Sequence, residues 1–250
     1  MAFQSSGNRK WRPGAWALLA LLLLPGCADG DEDKLLKSTA STPPSVAASG
    51  LQEDWEGFSL GNWIEPSDHG AWRLLYTGYG RVGIAERGGK VLEQAPMAAT
   101  RPDETHASLV TTRERFGDFR ARVKLRTVQQ LRTGSAPNPW EVPWLIWRYT
   151  DENHFYYALL KPNGWELGKV VPGASGPEQR FLATGEMPFS LEAWHTLEVE
   201  QRGGVISLKG DGVALGTPYT DPAPYASGVI GLYNEDAHVA FDDVQVDRLD

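Results

Sequence analysis

Between Phe119 and Arg126, the apolar residues Phe119, Ala121, Val123 and Leu125 alternate with Arg120, Arg122, Lys124 and Arg126. At a period of two this is a strand with one apolar face and a row of cations on the other. The runs that follow hold Trp140, Trp144, Trp147, Arg148, Tyr156, Tyr157, Lys161, Trp165, Glu166 and Lys169. Flat rings stack on the apolar face of a pyranose, and cations pair with uronate or sulfate groups. The expected ligand-binding set is therefore Arg120, Arg122, Lys124, Trp144, Arg148, Tyr156, Lys161 and Trp165. A plainer reading competes with it. Tryptophan commonly fills the space between two sheets, and a cation row is more often a solvated face paired with carboxylates of the next strand than a ligand groove.

Catalytic patterns are sparse. The chain has no Gly-x-Ser-x-Gly elbow, no His-Glu-x-x-His pair and no phosphate-cradling Gly-rich loop with Lys and Ser or Thr. His69, His106, His154, His195 and His238 are scattered over different predicted strands and loops. Cys27 is the single cysteine, which excludes an intramolecular disulfide, a thiolate zinc site and a cysteine nucleophile in the body of the protein.

The elements that must position these residues read as all-β. From Leu51 onward, short aromatic and β-branched runs alternate with Gly, Pro, Asn and Asp, and no long amphipathic helix is found. Strands are expected at 71–77, 81–86, 90–94, 107–111, 118–126, 143–149, 154–161, 165–171, 179–183, 194–201, 205–209, 228–233 and 239–248. Turn signals such as Lys161-Pro162-Asn163-Gly164 and Lys209-Gly210-Asp211-Gly212 recur as hairpins of a sandwich do. No internal repeat supports a propeller or solenoid.

Upstream lie Arg9, Lys10 and Arg12, then the apolar run Ala15 to Leu24 and Leu24-Pro25-Gly26-Cys27. That run has the length of a signal-peptide core and is too short for a bilayer span. The segment resembles a bacterial lipoprotein signal, which implies lipidation at Cys27 and a signal peptide over 1–26, though Pro25 departs from the usual residue there. A secreted chain cut near Gly26 is the alternative. Ala28 in place of Asp implies, by the same resemblance, export to the outer membrane. Residues 27–50, with Asp29-Gly30-Asp31-Glu32-Asp33 and a Ser/Thr/Pro run, read as a flexible tether that cannot bury enough apolar area to fold. Loss of Arg9, Lys10 and Arg12 with no anion would move the formal charge from −8 to −11. So acidic a chain argues against nucleic acid and anionic headgroups as general partners, and nothing in the sequence fixes an oligomeric state.

In order and spacing, several runs across 51–250 resemble the concanavalin A-like or laminin-G-like jelly rolls. They include Asp54-Trp55-Glu56-Gly57, Trp144-Leu145-Ile146-Trp147-Arg148-Tyr149, Ala193-Trp194-His195-Thr196 and Gly228-Val229-Ile230-Gly231-Leu232-Tyr233 leading to Phe241-Asp242-Asp243-Val244. The resemblance implies a two-sheet antiparallel jelly-roll sandwich whose terminal strands pair. It further implies one structural calcium at that pairing, with Asp54, Glu56 and Asp243 (or Asp242) as hard oxygen ligands; the other reading is edge-strand and solvated charges. The family's hydrolases carry a Glu-x-Asp-x-x-Glu run, which is absent here. Its lyases need a tyrosine near a histidine with an arginine, and only those residue types are found, as Arg120, Arg122, His154, Tyr156 and Tyr157. The expectation is a lipid-anchored envelope protein that binds an oligo- or polysaccharide, neutral or anionic, without catalysis. A polysaccharide lyase or glycosidase, and a structural or protein-binding envelope module, are the alternatives.

Overall fold

The computed structural model describes residues 50–249, so the signal segment, Cys27 and the tether up to residue 49 lie outside the described residues. The elements, in chain order, are β1 (Leu51–Glu53), β2 (Gly61–Asn62), β3 (Ser67–His69), β4 (Trp72–Tyr76), β5 (Arg81–Glu86), β6 (Lys90–Ala95), β7 (Ala107–Phe116), β8 (Phe119–Gln130) and β9 (Pro143–Asp151). They continue as β10 (His154–Lys161), β11 (Gly164–Gly173), β12 (Gly176–Gly185), β13 (His195–Arg202), β14 (Val205–Gly210), β15 (Val213–Ala214), β16 (Tyr219–Thr220), β17 (Gly228–Glu235) and β18 (Ala237–Arg248). The described residues contain no helix.

Two antiparallel sheets stack as a jelly-roll sandwich. The ten-stranded sheet runs β15-β14-β13-β8-β18-β6-β5-β2, with β1 on β18 and β16 on β14. The eight-stranded sheet runs β12-β11-β10-β9-β17-β7-β4-β3. The terminal strands pair, Leu51 opposite Val246 and Glu53 opposite Val244. β1 is shorter than Asp54-Trp55-Glu56 suggested, because Trp55 takes a φ of 62° and turns its ring into the core. Its amide donates to Glu53 Oε1 at 3.2 Å, and the Trp72 indole donates to Glu53 Oε2 at 3.2 Å. Asp54 and Glu56 therefore sit in a turn rather than on one strand face.

Alternation decides which side chains meet between the sheets. From β8, Phe119, Ala121, Val123 and Leu125 point inward and are buried, beside Val199 and Leu197 of β13 and Phe241 and Val246 of β18. The facing sheet contributes Leu145, Trp147, Tyr156, Ala158, Trp165, Leu167, Ile230 and Leu232 to the same core. Each such aliphatic or aromatic side chain contributes roughly 1.5–3 kcal/mol when fully buried. The Trp147 indole inside this core donates to Gln201 Oε1 at 2.6 Å.

Candidate functional site

Strands β9, β10 and β17 of the eight-stranded sheet are largely buried on both faces, and the sheet's outer face carries a second cluster. Register places Tyr76, Leu109, Tyr233, Trp144, Leu159 and Glu166 in one row across β4, β7, β17, β9, β10 and β11. The next row holds Thr111, Gly231, Ile146, Tyr157 and Gly168. Trp144 lies 4.8 Å from Tyr157 and 5.4 Å from Tyr233 between ring centroids. The band closes over its own glycines: a Cβ on Gly168 would stand 2.1 Å from Tyr157 Cζ, and one on Gly231 would stand 2.6 Å from Ile146 Cγ1. Trp144, Ile146, Tyr157, Leu159 and Tyr233 are buried, while Tyr76, Trp140 and Tyr149 are half-buried at the margin of the band. Two carboxylates stand within it. Glu166 accepts from the Tyr157 hydroxyl at 2.9 Å and from Lys161 Nζ at 2.8 Å; Glu235 accepts from the Tyr233 hydroxyl at 2.9 Å.

Where the band opens toward β4 and β7, a trough of about 700 Å³ lies between Arg73, Arg113, Arg115 and Tyr149, with Thr111 and Val229 among its lining. Arg115 and Tyr149 both pair with Val229, so they share the outer face one row beyond Ile146. Arg73 donates through Nε and a terminal nitrogen to both oxygens of Asp68, at 2.6 and 2.9 Å, and Arg113 Nε lies 3.5 Å from the same carboxylate. The hydrogen bond from Arg73 holds the Asp68 carboxyl below its usual range. Burial pushes the Tyr149 phenol up to about 12, with the charges of Asp151 and Glu152 adding to it.

Beside the band, the segment that carries Trp140 is fastened by buried charge. Arg132 donates to Glu141 Oε1 at 2.5 Å, to Asp236 Oδ2 at 2.8 Å and to the carbonyls of Arg101 and Glu104. The Asn138 amide also donates to Glu141 Oε1 at 2.7 Å, and the Trp144 indole donates to the Trp140 carbonyl at 2.9 Å. Burial pushes Asp236 up to about 6, against the pull of the His106 amide and the Arg132 charge.

The eight residues expected to bind ligand fall in four separate places. Arg120, Arg122 and Lys124 lie on the outer face of the other, ten-stranded sheet, laced to carboxylates: Arg120 to Glu200 at 2.6 Å, Arg122 to Glu198 at 3.9 Å and Lys124 to Asp243 at 2.5 Å. Trp144 and Lys161 belong to the band and its margin. Tyr156 and Trp165 point the other way, into the core. Arg148 takes a φ of 49° at a bulge and turns into one end of the sandwich, buried among Asp118 and the carbonyls of Gly117, Gly203 and Tyr225. Beside it the Tyr156 hydroxyl and Lys169 Nζ both donate to Asp221, and burial first, then that carboxylate, drive the Tyr156 phenol far above its usual value. Arg73, Arg113, Arg115, Tyr149 and Tyr233 were not singled out in the sequence. The available signal was Arg113-Glu114-Arg115 continuing a strand past Thr111.

Calcium would require six to eight convergent oxygens. Burial, followed by the nearby Asp243 and Asp54 charges, raises the Asp242 carboxyl, so like charges do gather where β1 meets β18. Glu56, however, accepts from the Lys90 amide at 2.8 Å and Asp243 lies on Lys124. Among the described residues no group of three or more His, Cys, Asp or Glu could hold a metal ion. Glu56 and Asp243 thus have other partners in this structure.

No family model matches this sequence, and no curated protein matches it. Solved structures do match in fold. A carbohydrate binding module, CBM66 from Bacillus subtilis, is 15% identical, with 71% of this chain and 95% of that chain covered and a TM-score of 0.52. A glycoside hydrolase family 16 endo-glucanase from Bacteroides ovatus is 10% identical, with 78% and 99% covered and a TM-score of 0.52. A protein of unknown function with a galectin-like fold, from Bacillus subtilis, is 11% identical, with 79% and 98% covered and a TM-score of 0.50. At these identities the likeness establishes a concanavalin A-like sandwich and nothing finer.

Proposed function

We propose that this chain is an exported, lipid-anchored envelope protein that recognises a polysaccharide without cleaving it, through the outer face of the eight-stranded sheet. The observation that carries the reading is the open trough on that face, where half-buried Tyr149, at the margin of the buried aromatic band, meets guanidinium groups. Rings for stacking and convergent polar groups for orientation are what a saccharide site needs. The fold neighbours named for carbohydrate binding and glycoside hydrolysis make the same ligand class the natural first candidate.

Two features favour binding over catalysis. Glu166 and Glu235, the carboxylates of the band, stand on β11 and β17, three strand steps apart in the sheet. At 4.7–4.9 Å per step that is about 14 Å between backbones, beyond the roughly 5–9.5 Å over which a glycosidase pair works. A lyase base is also poorly provided: Tyr149 is pushed up to about 12, and Tyr156 is shut inside the core. Phenols so raised stay protonated at neutral pH.

The test is a binding screen of the full chain against a panel of polysaccharides, with reducing ends and unsaturated-uronate absorbance followed in parallel. The expected result is saturable binding that weakens in Tyr149→Ala, with no product. Product release would replace the reading with an enzyme. Absence of binding to every polysaccharide would leave a structural or protein-binding envelope module.

A further inference from the structure

The trough beside Tyr149 has more positive charge than its own carboxylates neutralise, in a chain whose formal charge is −8. Arg73 and Arg113 share the single carboxylate of Asp68. Glu114, the other acid at the trough, is engaged by Arg248. Arg115 donates to the Ser227 carbonyl at 2.9 Å, and among the described residues no carboxylate pairs with it. Three guanidinium groups thus have the one carboxylate of Asp68 between them, with more N–H donors among them than these partners accept. Arg73 and Arg113 are each about half exposed, at 52% and 53%. On the opposite sheet Arg120, Arg122 and Lys124 lie on Glu200, Glu198 and Asp243, with Glu200 shared by Arg202 and Glu198 by Lys209.

The floor of the trough is suited to a flat, partly apolar unit. Arg73 on β4 pairs with Thr111 on β7, and Val229 on β17 is flanked by Arg115 on β7 and Tyr149 on β9. A guanidinium fork matches a planar carboxylate or a sulfate oxygen pair in two parallel bonds. We infer that Arg73, Arg113 and Arg115 form an acidic-sugar subsite, which takes the carboxylate of a uronic acid or the sulfate ester of a sulfated sugar while Tyr149 supports the ring. This rests on the proposed saccharide recognition and narrows it to anionic polysaccharides.

The test titrates the full chain with three oligosaccharide probes of matched length: oligogalacturonate for the carboxylate, a κ-carrageenan oligosaccharide, which has no uronate, for the sulfate ester, and a neutral cello-oligosaccharide. Arg115→Ala and Arg115→Gln are compared with an Arg120→Ala/Arg122→Ala double variant on the opposite sheet. Wild type is expected to bind at least one acidic probe, and to bind it at least about tenfold more tightly than the neutral one at low salt. Loss of one charge-assisted contact corresponds to a roughly ten- to hundredfold weakening in either Arg115 variant, with the double variant unchanged. Preference between the two acidic probes assigns carboxylate or sulfate. Equal or tighter binding of the neutral probe would overturn the acidic subsite and leave saccharide recognition standing. Acidic binding that survives both Arg115 variants, or that falls equally in the double variant, would also overturn it. Binding of none of the three probes, with other polysaccharides bound, overturns the subsite alone; binding of no polysaccharide at all overturns both.

Discussion

Replacing Arg132 by Met is the sharpest test of how the segment beside the aromatic band is held. The arginine is 2% exposed in its side chain, and its two carboxylate partners, Glu141 and Asp236, are 0% and 1% exposed. Methionine fills much of the same volume but removes the charge, both ion pairs and the donors to the Arg101 and Glu104 carbonyls. Two carboxylates are left facing each other away from water. Removing one partner of a buried ion pair costs about 3–5 kcal/mol, because the uncompensated charge stays behind. Against a total stability of roughly 5–15 kcal/mol, that is a large share. It corresponds to a fall in Tm of the order of 10 °C for a domain of this size. Urea unfolding followed by tryptophan fluorescence, with calorimetry as a check, reads both quantities. The triple variant Arg132→Met/Glu141→Gln/Asp236→Asn should recover part of the loss, because the stranded charges go with the arginine. A loss below about 1 kcal/mol in Arg132→Met would refute the reasoning, since only a solvated ion pair is that weak. So would a triple variant less stable than the single one.

The other expectations concern protonation, packing and anchoring. Asp236, pushed up to about 6 from 3.8, binds its proton more tightly folded than unfolded, so its contribution is present below about pH 4 and is lost as pH rises through 6. Asp236→Asn should abolish that slope between pH 4 and 6 in urea titrations, and a slope unchanged from wild type would contradict the assignment. Glu93 behaves oppositely: burial would raise it, but His238 and Arg87 outweigh burial and bring it to about 2, so its contribution is present above pH 4.5 and lost as pH falls toward 2. Glu93→Gln should flatten that acid limb of the same titration. Gly168→Ala should destabilise by about 1–3 kcal/mol through overpacking against Tyr157, and adding Tyr157→Ala should remove most of the coupling between the two sites; additive losses would argue against the contact. Cys27→Ser should move the protein from the membrane fraction to the soluble exported fraction, and mass spectrometry of the wild type should find diacylglycerol on Cys27; an unmodified thiol on a soluble wild type would favour the secreted alternative.

The sandwich was legible because two sheets packed face to face write period-two patterns into their strands. Phe119, Ala121, Val123 and Leu125 announce an inner face without help from any other strand, and β8 runs through them to Gln130. The same logic fails where a strand is buried on both faces. In β9 and β10, Trp144 and Trp147, or Tyr156 and Tyr157, are adjacent or near-adjacent aromatics of opposite parity. Composition alone cannot say which of them faces the partner sheet. Tyr157 is on the outer face because Gly168 on β11 makes room for its ring, a long-range pairing that no local window contains. Arg148 was placed on the surface by its type, yet the bulge that reverses its direction depends on Gly228 of β17 lying against its backbone. The cation row of β8 was visible as a row, but its neutralisation by Glu198, Glu200 and Asp243 required the order β13-β8-β18. Arg73, Arg113 and Arg115 were hidden for a similar reason: they come from two strands far apart in sequence and become a set only through the β4–β7 and β7–β17 pairings.

Hydroxyl-radical footprinting of the full chain, with and without a bound oligosaccharide, tests the central claim most directly, because labelling reports which aromatic side chains a ligand covers. Tyr149, at the margin of the band, should lose reactivity on binding, while Tyr79, 79% exposed and outside the trough, should serve as the unchanged reference. Protection of Tyr149 and the Arg73, Arg113 and Arg115 peptides would place recognition on the outer face of the eight-stranded sheet. Protection confined to the β8 and β13 peptides, with Tyr149 unaffected, would move it to the opposite sheet and contradict the account.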